Sequence, residues 1–120
     1  MAWTAGRPIR ILFLCHYNRK RSATAERIFG KDPALDVRSA GTSDEALVRV
    51  NQRMLDWADV VFIMDEEQRR GLARLFPDHA AVSGAISLEI ADEFQFLDPE
   101  LISVLRERVP PHLERLKGGG

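Results

Sequence analysis

Cysteine is nearly absent. Cys15 is the single one in 120 residues, so the chain cannot form an internal disulfide and a disulfide-stapled secreted scaffold is excluded. Long apolar runs are missing too: nothing approaches the ~20 residues a bilayer span needs. Ile11-Leu12-Phe13-Leu14, after Arg7 and Arg10, is too short for the core of a signal peptide. Neither sign of charge is in excess, with a formal net charge of −1, so neither nucleic acid nor an anionic membrane is an expected partner. His16, His79 and His112 lack metal-ligand spacing, and one cysteine does not make a structural zinc site, so no metal or cofactor is expected. What remains is a chain of ordinary composition, 45% apolar and 29% charged, sized for one domain over residues 1–120. A reducing cytoplasm is the expected compartment.

The pattern along the chain alternates strand and helix. Ile9 to Leu14 is a continuous apolar run broken only by Arg10, which predicts a buried central strand. A helix is expected from Ser22 to Gly30, and a second strand from Val37 into the turn-rich Ser39-Ala40-Gly41-Thr42. The near-helical spacing of Leu47, Val50, Met54 and Trp57 predicts an amphipathic helix from about Glu45 to Trp57. Val60 to Met64 is the clearest strand, and Asp65 is placed to cap a helix that Pro77 ends near Phe76. Ala85 to Ile90 reads as a fourth strand. Asp98-Pro99 opens a last helix that buries Leu101, Ile102, Leu105 and Val109. The closing Gly118-Gly119-Gly120 reads as a flexible tail. This alternation predicts an α/β fold, a four-stranded parallel sheet with helices on both faces in the flavodoxin-like manner. Ligands of such sheets bind beyond the carboxyl ends of the strands, where Cys15 sits.

Cys15-His16-Tyr17-Asn18-Arg19-Lys20-Arg21-Ser22 joins the first strand to the first helix. Phosphoryl transfer to sulfur needs a thiolate, inward-pointing N–H groups for the phosphoryl oxygens and a planar guanidinium to grip two of them. Five residues between Cys15 and Arg21 let one loop bring both ends to the same phosphate. Ser22 is placed to donate its hydroxyl to the sulfur. The competing reading is a buried cysteine followed by a solvated basic turn, and the spacing alone separates the two only modestly.

Leu12-Phe13-Leu14-Cys15, Asn18 and Arg21-Ser22-Ala23-Thr24-Ala25-Glu26 together resemble the active-site signature of the low-molecular-weight protein tyrosine phosphatases. Ser39-Ala40-Gly41-Thr42 and Ala58-Asp59-Val60-Val61-Phe62-Ile63-Met64-Asp65 resemble further segments of that family, in its order. The resemblance implies hydrolysis of phosphate monoesters, of the phosphotyrosine type, through a phosphocysteine intermediate. Cys15 would be the nucleophile, Arg21 the phosphate clamp, Ser22 the group that assists the thiolate and Asn18 a brace for the loop. His16, Tyr17, Arg19 and Lys20 complete the phosphate-binding segment. The family keeps its general acid in an Asp-Pro-aromatic loop after the fourth strand. Asp92, in Ile90-Ala91-Asp92-Glu93-Phe94, is the expected acid, with Glu93 and Asp98 in reserve because Asp98-Pro99 reads as a helix cap. Phe94 and Phe96 are candidates for an aromatic wall beside the loop, or for packing beneath the last helix.

Some positions depart from the family. Tyr17 stands where glycine is usual, Lys20 where many relatives have a second cysteine, and the stretch between Thr42 and Trp57 is short and lacks a supporting histidine. Arg19 and Lys20 make the rim more basic, as a multiply anionic substrate or plain surface charge would explain. The lack of further cysteines closes the arsenate-reductase reading of the same loop, and Arg21 argues against a phosphocysteine carrier. The alternative is a module that holds phosphate or a phosphoprotein without turning it over. Expected partners are a phosphorylated protein or small phosphomonoester, with the chain a monomer or weak dimer.

Overall fold

The computed structural model describes residues 5–118. Its elements are β1 (Ile9–Cys15), α1 (Arg21–Phe29), β2 (Leu35–Gly41), α2 (Gln52–Trp57), β3 (Val60–Ile63), α3 (Glu66–Leu75), α4 (Ala81–Gly84), β4 (Ile86–Ser87) and α5 (Pro99–Lys117). The strands pair in parallel in the order β2-β1-β3-β4. The direction of winding therefore reverses between β1 and β3, and the crevice at that reversal opens beyond the ends of these two strands.

Successive side chains of a strand point to opposite faces, and β1 shows the consequence. Ile9, Ile11, Phe13 and Cys15 enter one core with Ala25 of α1 and Leu101, Leu105 and Val109 of α5. Leu12 and Leu14 enter the other with Leu55 of α2 and Leu72 of α3. A strand apolar on both faces has to be covered twice, which is why its sequence is a run rather than an alternation. In α5, Leu101, Leu105, Val109 and Leu113 recur every fourth residue, and all are buried. Pro110 and Pro111 lie inside that helix and remove two of its backbone donors, yet it continues to Lys117. The residue Gly118 caps it, whereas Gly119 and Gly120 of the expected tail lie outside the described residues.

Two expected elements are corrected. The helix expected from Glu45 begins only at Gln52, because the Asn51 side chain accepts from the Met54 amide at 2.9 Å and fixes the N-terminus there. The chain before it pairs with the end of β2 instead, in a parallel bridge of Arg49 to Gly41: Gly41 N donates to Val48 O and Val50 N donates to Gly41 O. Leu47, placed by the spacing on a buried face, is 64% exposed. The fourth strand is Ile86–Ser87 rather than Ala85 to Ile90. Glu89 takes a φ of 55°, in the left-handed region, and this breaks the ladder. Leu88 N and Ile90 N still reach the carbonyls of Ile63 and Met64. α4, four residues long, had no sequence expectation.

Candidate active site

The loop after β1 is held from behind. The carbonyls of Cys15, His16 and Tyr17 accept from the backbone amides of Thr42, Ser43 and Leu47 at 3.0–3.1 Å. In a trans peptide the N–H points opposite to the C=O, so tying these carbonyls outward turns the following N–H groups inward. The amide of Asn18 shows the result, donating to Cys15 Sγ at 3.2 Å. Asn18 itself has a φ of 59°, a conformation that asparagine tolerates better than most residues. Gly41 makes the close approach possible: a Cβ there would stand 2.5 Å from His16 O and 2.6 Å from the Ala46 side chain.

A relay of side chains, running inward from the exposed Glu26, sets the direction of the bond at sulfur. Ser39 Oγ donates its one hydrogen to Glu26 Oε1 at 2.6 Å, so it can only accept from Asn18 Nδ2 at 2.9 Å. The same Nδ2 donates to Ser22 Oγ at 2.9 Å. Ser22 is then left with its own hydrogen, and Cys15 Sγ lies 2.9 Å away, closer than the alternative acceptor, Ala40 O, at 3.5 Å. Two donors, the Ser22 hydroxyl and the Asn18 amide, are thus aimed at Cys15 Sγ.

Arg21, at the start of α1, is 3% exposed. Its Nη1 donates to Asp65 Oδ2 at 2.7 Å and to Ile90 O at 2.8 Å. Asp92 Oδ1 lies 3.7 Å from its Nε, an ion pair rather than a hydrogen bond. Asp65 does two jobs, since its Oδ1 also accepts from Glu67 N at the N-terminus of α3. Cys15, Tyr17, Arg19, Lys20, Arg21 and Asp92 line a cleft of about 150 Å³ at the β1/β3 crevice.

The structure therefore brings together Cys15, Tyr17, Arg19, Lys20, Arg21 and Asp92, with Asn18 and Ser22 buried behind the sulfur. His16 is not among the lining residues: its Nδ1 has no hydrogen bond, and Glu67 Oε1 is the nearest charge, at 3.3 Å. Glu93 and Asp98 are not in the cleft either. Asp98 Oδ1 accepts from Glu100 N, the cap its Asp-Pro pattern foretold. Neither phenylalanine walls the cleft. Phe94 is 9% exposed and packs in the core with α5, while Phe96 lies over α1, with the Arg27 guanidinium 5.8 Å from its ring centre.

Sequence reasoning missed three participants. The sequence marks Asp65 only as a helix cap. Its position after β3, the strand next to β1, was the signal that it could reach Arg21. Ser39 and Glu26 lie inside segments already singled out, but 13 residues separate them, and it takes the packing of β2 against β1 and α1 to bring Ser39 to both Asn18 and Glu26.

No protein-family model matches the chain, and no curated protein matches it. Similar solved structures do exist. The YwlE arginine phosphatase from Geobacillus stearothermophilus superposes with a TM-score of 0.65 at 22% identity, over 90% of this chain and 94% of that one. The tyrosine phosphatase Wzb from Escherichia coli K30, solved with phosphate, gives 0.66 at 19% identity, over 92% and 98%. YfkJ from Bacillus subtilis gives 0.66 at 18% identity, over 97% and 99%. The chain thus carries the fold of the low-molecular-weight protein tyrosine phosphatases.

Proposed function

We propose that this chain hydrolyses phosphate monoesters, with Cys15 Sγ as the nucleophile and Asp92 as the proton donor. The observation that carries this reading is Cys15 Sγ under two hydrogen-bond donors in a cleft that Arg21 and Asp92 also line. That the similar solved proteins are named as tyrosine and arginine phosphatases supports it.

In the first step the thiolate attacks phosphorus in line. The S–P bond forms as the P–O bond to the leaving group breaks, and the departing oxygen takes its proton from the Asp92 carboxyl. Arg21 Nη1 is committed to Asp65 and Ile90, which holds the guanidinium plane and leaves its Nε side, faced by Asp92 at 3.7 Å without a hydrogen bond, for two phosphoryl oxygens. No side chain caps α1 at Lys20, so its first-turn amides are available to an anion. In the second step Asp92, now a carboxylate, takes a proton from water as its oxygen attacks phosphorus. The S–P bond breaks, and the Ser22 hydroxyl stabilises the leaving thiolate. Tyr17, 43% exposed, is the one aromatic among the described residues that line the mouth, and it favours an aryl ester.

The test is turnover of p-nitrophenyl phosphate and a phosphotyrosine peptide. Cys15→Ser should abolish it, Asp92→Asn should lower kcat/KM by about 10²-fold or more, and Asp98→Asn should leave it unchanged. A native chain that binds phosphate without turnover would sink the proposal, and equal losses in Asp92→Asn and Asp98→Asn would remove Asp92 from its role.

A further inference from the structure

The loop that carries Asp92 has little regular structure of its own. It leaves the sheet after two residues of β4 and remains irregular until α5 begins at Pro99. Three side chains from outside it supply what its own backbone does not. Arg21 Nη1 holds Ile90 O, Thr24 Oγ1 accepts from Leu97 N at 2.9 Å, and Arg108 Nη1 donates to Leu88 O at 2.7 Å and Glu89 O at 2.6 Å. The contact of Arg108 differs in kind from the others. A strand alternates its carbonyls, so one nitrogen can take two successive ones only where the chain turns, here at the left-handed Glu89.

That turn has a consequence three residues on. It sends Ile90 back over the end of β3, where its amide reaches Met64 O and its carbonyl reaches Arg21, and it thereby sets Asp92 beside Arg21 Nε. Arg108, on α5, thus holds the turn that leads to Asp92 without lining the cleft.

We propose that Arg108 is a positioning residue for the acid, acting through the Leu88–Glu89 turn; this rests on the reading of Asp92 given above. A proton delivered to the leaving oxygen matters most when that oxygen is a poor leaving group and little when it departs readily as an anion. A displaced acid therefore has a signature that general destabilisation lacks.

The experiment compares kcat/KM for 2,4-dinitrophenyl, p-nitrophenyl and phenyl phosphate in the native chain, Arg108→Met and Arg108→Lys. Unfolding temperatures and inhibition by inorganic phosphate are measured alongside. Arg108→Met should lose about tenfold or more with phenyl phosphate and less than about twofold with the dinitrophenyl ester. Its inhibition by phosphate should be unchanged, because Asp65 still holds Arg21 and the Cys15–Arg21 loop is intact. Arg108→Lys, which keeps a cation for the two carbonyls, should recover part of the phenyl phosphate rate. An even loss across the three esters, or no loss, overturns the role of Arg108 while the site reading stands. No turnover by the native chain overturns the site reading and this role with it.

Discussion

The two ends of the sheet use polar groups in opposite ways. At the amino end, Asp59 has a fully buried carboxylate, and both its oxygens are matched: Arg7 Nη1 and Nη2 donate at 2.8 and 2.7 Å and Arg10 N at 2.8 Å. A cavity of about 480 Å³ opens at this end, but its polar lining is already engaged, His79 with Asp56, Asp59 with Arg7 and Arg115 with His112. At the carboxyl end the cleft is only about 150 Å³. Around it stand the buried polar residues, from Asn18, Arg21 and Ser22 to Ser39, Thr42 and Gln68. Two of them, Asn18 and Ser22, bond to the Cys15 sulfur, and Arg21 keeps one edge of its guanidinium toward the cleft. Unspent donors, rather than cavity volume, mark the end of the sheet where a ligand belongs.

The sharpest break in that comparison is Arg21→Lys. Lysine keeps the charge but cannot grip two oxygens in one plane, nor hold Asp65 and Ile90 while doing so. Turnover should fall by about 10³-fold, with inhibition by inorganic phosphate weakened in parallel. A fall of less than about tenfold would mean that the free guanidinium edge is not where the phosphate sits.

Gly41→Ala should have the next largest effect, and it probes the backing of the loop rather than its contents. The added methyl meets the backbone at His16 O and the Ala46 side chain, neither of which is a flexible chain end. Overpacking of this kind costs about 1–3 kcal/mol. Because the strain falls on the peptides that turn N–H groups inward, turnover should drop by about 10-fold to 10²-fold in a protein that still folds. Denaturant unfolding and p-nitrophenyl phosphate kinetics measure the two effects separately. Stability lost without turnover lost would show that the amide directions are set elsewhere.

What the sequence made legible was whatever local chemistry dictates. The apolar run into Cys15 could be little but a buried strand, and Asp65 and Asp98-Pro99 announce their helix starts through capping geometry that needs no tertiary partner. The loop from Cys15 to Ser22 was legible because its ends must meet on one ligand. Elements set by long-range competition were not. Leu47 to Trp57 carries helical spacing, but Asn51 caps within it, and Gly41 offers the preceding residues a strand edge instead. The exit from β4 depends on Glu89, a residue with no intrinsic preference for the left-handed region, held there by an arginine 19 residues away. The Glu26–Ser39–Asn18–Ser22 relay depends on strand register, which no single segment contains.

The smallest expected effect on turnover is at the other end of the sheet, and it tests whether the two ends are independent. Burial opposes charge on the Asp59 carboxyl, but hydrogen bonds from Arg7 and the Arg10 amide, with the charges of both arginines, outweigh it and hold the group below its ordinary value. A carboxyl lowered in the folded state contributes stability that is complete above the unfolded value of about 3.9 and is lost as pH falls through the folded value. Asp59→Asn should therefore cost about 1–2 kcal/mol near neutrality. Between about pH 2 and pH 5 its unfolding free energy should also rise less steeply with pH than that of the native chain. Turnover of p-nitrophenyl phosphate at neutral pH should stay within about twofold, because β1 and β3 separate Asp59 from the cleft by their full length. If turnover fell with stability, the Arg7–Asp59 clasp would be setting the register of β1 against β3, and the division of labour between the ends would give way to one coupled unit.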